Sequence, residues 1–241
     1  NLLQEVAGLD EEKLLEVSWV GAAPVQTLSE RLAAATTERT AAVLTSTVLY
    51  ETSSQVPALD ALISHARELG AEVLLDAYHA FCAVPFTLAT LGAADAFVVA
   101  GGYKYAQWGE GCCFLRVPPR PFRPVITGWF ADFAALSAKQ TQVGYGLRGA
   151  EAFAGGTFEP VSHYRARAVI GFFERNGMTI QALRHSSLRQ TQRLIDALEG
   201  YELATPREPE LRGGFVALRT PRAPALVVAL RAEGILTDCR G

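Results

Sequence analysis

The chain has 241 residues, 49 % of them hydrophobic and 20 % charged, with a formal net charge of −3 at pH 7; this excludes wholesale disorder and suffices for one large domain, or a large and a small one. Its Lys and Arg residues are scattered rather than gathered into a stripe, which argues against nucleic acid and for a small-molecule partner. No apolar run approaches the roughly 20 residues needed to cross a bilayer, the start lacks a basic region followed by an apolar core, and Cys82, Cys112, Cys113 and Cys239 lack CxxC spacing; the expectation is a soluble cytoplasmic protein with reduced thiols.

In chain order, helix-like and strand-like segments alternate from 30 to 103, the pattern of an α/β domain with a mostly parallel sheet. Ser29 to Ala35 reads as a short amphipathic helix, Thr40 to Leu49 as an apolar strand, and Ala58 to Leu69 as a helix closed by Gly70. Glu72 to Leu75 leads a buried strand ending at Asp76. Phe86 to Leu91 reads as a turn of helix, and Ala96 to Ala100 as a strand ending at Gly101-Gly102. Cys112 to Val117 is a further strand, stopped by Pro118-Pro119. Residues 118 to 158, rich in Pro, Gly and aromatics, predict a long excursion at a domain edge or subunit contact. Helical spacing returns over Val161 to Glu174 and Ile180 to Leu198. The remainder predicts strands over Tyr201 to Ala204, Gly214 to Arg219 and Ile235 to Cys239, with a helix over Ala223 to Glu233. The expected organisation is a large domain over 1–177 and a small α+β domain over 178–241.

In an open α/β sheet, ligands bind beyond the carboxyl ends of the strands. Asp76 lies at one such end and Lys104 just after the next, so neighbouring strands would bring a carboxylate and an amine to one crevice. Pyridoxal 5′-phosphate (PLP) chemistry needs this pairing: an amine to form a Schiff base with the cofactor aldehyde, and a carboxylate to hold a proton on the pyridine nitrogen. On position alone Lys104 reads equally as a surface lysine and Asp76 as a helix N-cap. His79, three residues past Asp76, would look toward the same crevice, either touching a cofactor and moving protons or serving only as a satisfied structural residue. Zinc on Asp76, His79 and Cys82 is the weaker reading, because three ligands on one short segment are poorly placed for a tetrahedron; no metal is expected.

The run LLDAYHAFCAVPF, followed by AADAFVVAGGYKYAQWGEG, resembles the class V aminotransferase family of fold-type I PLP enzymes, and within it most closely kynureninase. TAAVLTSTVLYETSSQVP, ITGWF and GAEAFAGGT resemble further segments of the same family, and the likeness runs from about Leu28 to the end. The resemblance implies the PLP-dependent transferase-like fold with an N-terminal part and a C-terminal end beyond this chain. It implies PLP as cofactor, with Asp76 on the pyridine nitrogen, Lys104 on the aldehyde, Tyr103 on the phosphate and His79 lining the pocket. Trp129 and Thr157 would reach the phosphate of a neighbouring subunit in a homodimer. The implied reaction on an amino-acid substrate is hydrolytic Cβ–Cγ cleavage of a kynurenine type; a class V aminotransferase, a related PLP lyase, and a degenerate protein of the same fold without activity are the alternatives. Ala152, Phe158 and Gln107-Trp108-Gly109 depart from the family pattern, and Trp108 and Glu110 are expected to alter the substrate side of the pocket.

Overall fold

A computed structural model describes residues 15–122, 124, 128–135 and 149–239. Its centre is a four-stranded sheet of β1 (Ala42–Ser46), β2 (Glu72–Asp76), β3 (Phe97–Gly101) and β4 (Cys113–Arg116), in that spatial order. The first three strands run parallel and β4 returns antiparallel to β3, which accords with the mostly parallel sheet expected from the alternating pattern. The register sets Ser46 opposite Asp76 and Asp76 opposite Val99, so the carboxyl ends of β1, β2 and β3 share one edge.

Helix α1 (Leu28–Ala35) precedes β1, and α2 (Leu59–Glu68) crosses from β1 to β2. Leu59, Leu62, Ile63 and Ala66 of α2 are buried, a spacing that puts them on one helical stripe. They meet Val73, Leu75, Val98 and Ala100 of the sheet in one apolar core. Ala71, Ala77, Ala93 and Ala96 are fully buried there too, and their small side chains allow backbone segments to approach closely.

Beyond the sheet lie α3 (Val161–Arg175), α4 (Ile180–Ala197) and α5 (Ala223–Ala232). Thr179 caps α4, its hydroxyl accepting the Ala182 N–H at 3.2 Å. The excursion between 118 and 158 contains two short 3-10 helices, Trp129–Ala135 and Gly149–Phe153; the beginning of the ITGWF segment, and the two final residues of the chain, lie outside the described residues.

Several local expectations differ from the structure. Residues 86–91 form hydrogen-bonded turns rather than helix, with the Thr87 and Thr90 hydroxyls exchanging bonds across the turn; Thr competes well for nearby backbone groups in such turns. Instead of a pair of strands, 201–204 and 214–219 share one antiparallel bridge, Leu203 with Leu218, and 235–239 is irregular. A strand needs a ladder partner, which an apolar run does not itself supply, and Leu236 stands 81 % exposed.

Candidate active site

The chain leaves β2 through a turn in which the Tyr78 N–H donates to Asp76 Oδ1 at 2.8 Å. That bond orients the carboxylate and starts a tight turn, continued by Ala80 N–H to the Ala77 carbonyl at 3.0 Å, which carries His79 back over the sheet edge. On the neighbouring strand, β3 ends at Gly101, and Trp108 N–H closes on the Gly102 carbonyl at 2.8 Å to form the loop bearing Lys104. Gly101 is required by packing: a Cβ there would stand 2.4 Å from Tyr78 Cε1 and 2.6 Å from Tyr103 Cε1.

The two turns meet at Lys104 Nζ, 2.7 Å from His79 Nε2. The same ammonium lies 5.6 Å from the centroid of the Tyr78 ring, within cation–π range. Tyr78 in turn meets Tyr103 edge to face at 5.9 Å. Burial first, and then the Cys113 thiol and the charges of Tyr103 and Asp76, hold the Tyr78 hydroxyl well above the ordinary tyrosine range. Burial, Cys113, Glu110 and Asp76 push Tyr103 up as well, so both phenols stay protonated and available as donors at neutral pH. Tyr103 is 38 % exposed, open to a ligand.

Asp76, His79, Lys104 and Tyr103 thus share one end of the sheet. Trp129 and Thr157 are both exposed: Trp129 is 51 % exposed and packs on Phe130 and Phe133, while Gly156, beside Thr157, approaches its indole nitrogen. Trp108 is a packing residue, its ring pressed on Gly102 and edge to face with Phe81 at 5.3 Å. Tyr78 and Phe215 also belong to the site, together with Tyr105, which the sequence itself places beside Lys104. Tyr78 sits within the quoted Asp-to-His run, where its bulk was the available signal. Tyr105 and Phe215 flank His79, with ring centroids at 6.4 and 5.4 Å; Phe215 comes from far along the chain and carries no local signal. Among the described residues no group of three or more His, Cys, Asp or Glu is arranged to hold a metal ion.

Comparison of the whole structure with solved proteins decides the fold. A NifS-like protein superposes with a TM-score of 0.67 over 98 % of this chain and 60 % of its own, at 16 % identity. A cysteine desulfurase from Thermococcus onnurineus NA1 gives 0.66 over 81 % and 48 %, at 20 % identity. The fold is that of the fold-type I PLP-dependent enzymes. In sequence, residues 183–241 match the kynureninase C-terminal domain model. The chain is 30 % identical to the kynureninase of Bacillus mycoides over 89 % of its length and 51 % of that protein. It is 27 % identical to that of Geobacillus thermodenitrificans over 88 % and 50 %, and 28 % identical to that of Pseudomonas fluorescens over 88 % and 51 %. The chain therefore spans about half the length of the curated relatives it matches. Kynureninase and related fold-type I enzymes use PLP. The donor set at this site fits that cofactor: an amine, a carboxylate on the adjacent strand, an imidazole at the amine and a protonated phenol at one end of the sheet.

Proposed function

We propose that the protein is a PLP-dependent enzyme acting on an amino acid, with kynureninase-like hydrolysis of the Cβ–Cγ bond of a kynurenine-type substrate. The observation that carries this reading is the 2.7 Å approach of Lys104 Nζ to His79 Nε2 at the sheet edge that also bears Asp76, taken with the similarity to kynureninases along nearly nine tenths of the chain. PLP when bound supplies an electron sink for negative charge developed on a substrate carbon. Lys104 would hold its aldehyde, and Asp76, oriented by the Tyr78 N–H, would keep a proton on its pyridine nitrogen. Lys104 Nζ would serve as general base toward the substrate's Cα proton, and His79 Nε2, 2.7 Å away, lies where it could exchange a proton with that amine. The Tyr103 hydroxyl would donate to the phosphate.

The exposure of Trp129 and Thr157 supports their reaching the phosphate of a second copy, in a homodimer. The division near residue 178 belongs to the same reading, although the segment 209–215 bonds back to Ser53 and Gln55 and its Phe215 packs beside His79.

The test is to supply the full-length protein with PLP and kynurenine. Alanine and the aryl carboxylate are expected in equal amounts. With a 2-oxo acid other than pyruvate added to accept the amino group, conversion of kynurenine to its keto acid without alanine would make the protein an aminotransferase, and no turnover of any amino acid despite bound PLP would place it among inactive members of the fold.

A further inference from the structure

Residues 209–215 are held from three directions. Arg212 is fully buried, and its guanidinium reaches α4: Nε donates to Thr191 Oγ1 at 3.1 Å and Nη2 to Gln192 Oε1 at 3.1 Å and the Leu188 carbonyl at 3.3 Å. Arg184 of α4 reaches back, donating to the carbonyls of Pro209, Arg212 and Gly213 at 2.7, 2.8 and 3.0 Å. The loop after β1 supplies the third side. Gln55 N–H donates to the Leu211 carbonyl at 2.8 Å, Gly213 N–H to the Ser53 carbonyl at 2.5 Å, and Phe215 N–H to Ser53 Oγ at 3.3 Å. Gly213 admits no side chain, since a Cβ would lie 2.7 Å from Val48 Cγ1 and 2.8 Å from Ser53 Oγ.

A segment fastened at so many backbone groups has little freedom, and buried guanidiniums are costly unless each donor is used. What it delivers is Phe215, whose ring meets His79 at 5.4 Å and 59° while Tyr105 meets it at 6.4 Å and 69°. The final torsion of a histidine side chain is broad, so the ring plane, and with it the nitrogen facing Lys104, is set by what packs on the ring. We propose that Phe215 is a positioning residue: clamped by Arg184, Arg212 and Ser53, it fixes the imidazole so that Nε2 faces the Lys104 amine. Its importance for catalysis rests on the reading of Lys104 as the cofactor lysine.

Histidine side-chain 15N spectra of the full-length protein without cofactor test the positioning itself, and four histidines make assignment practicable. Wild type is expected to show His79 in one fixed tautomer. In Phe215→Ala its two nitrogen shifts move toward the averaged values of a mobile ring, and the rate at which PLP and borohydride label Lys104 falls about tenfold. Phe215→Tyr, which keeps the ring, restores both readouts. Should Phe215→Ala not fold, Ser53→Ala, which removes the acceptor of the Phe215 N–H, shifts the His79 signals in the same direction by less. Wild-type His79 signals in a folded Phe215→Ala, or unchanged signals in Ser53→Ala where that variant is the one that folds, overturn the inference. Failure of PLP to label wild-type Lys104 would instead count against the cofactor reading, and the cofactor-free spectra would still decide the positioning.

Discussion

At the residue scale, burial sorts the four cysteines by reactivity. All four are free, but burial lifts the Cys82 thiol to about 11 and also raises Cys112, whereas Cys113 and Cys239 are exposed. Because the thiolate is the nucleophile, iodoacetamide at pH 8 is expected to modify Cys113 and Cys239 well before Cys82 and Cys112, as read by peptide mass spectrometry. The same shift bears on stability. A thiol whose folded value exceeds the ordinary 9.0 contributes stability that is present below pH 9 and lost as pH rises toward about 11; Cys82→Ala therefore flattens the fall in melting temperature across that window. Equal labelling of all four thiols in the folded protein would contradict the partial burial of Cys82 and the burial of Cys112. Asp76, His79 and Lys104 were legible at this scale because strand ends can be read from local pattern and ligands gather there. Phe215 was not, since its meeting with His79 depends on a long-range closure that no local spacing encodes.

At the element scale, the parallel strands and the helix α2 that joins β1 to β2 were readable to within a few residues at each end, whereas the helix expected over 86–91 is a set of turns. Leu59, Leu62, Ile63 and Ala66 are both the periodic apolar positions and the buried face of α2. The C-terminal strands were overread: Ile235 and Leu236 have strand-forming character, but pairing is a property of two segments and 235–239 is irregular in the structure. One element boundary carries a usable strain. Ala58, the N-cap of α2, is left-handed at φ 53° and ψ 36°, which costs an L-residue with a Cβ about 1 kcal/mol or more. Ala58→Gly is accordingly expected to stabilise the fold by about 0.5–1 kcal/mol, a rise of about 2–4 °C per kcal/mol in a thermal melt of a protein this size. A lower melting temperature would show that glycine's greater freedom in the unfolded chain outweighs the relief.

At the scale of the whole molecule, the sheet edge, the clamp from α4 and the loop after β1 converge on one pair, Lys104 and His79. Similarity to kynureninases covers nearly nine tenths of this chain but half of theirs, and the proposed activity is best approached through the cofactor before the substrate. Among the described residues no helix is long and apolar enough to cross a membrane. The decisive measurement is the visible spectrum of the full-length protein with added PLP, before and after borohydride, followed by peptide mapping. A visible band that borohydride abolishes, with a phosphopyridoxyl adduct on Lys104 that Lys104→Ala lacks, is the expected result. No band after adding PLP, or an adduct on a different lysine, would contradict the assignment of this site.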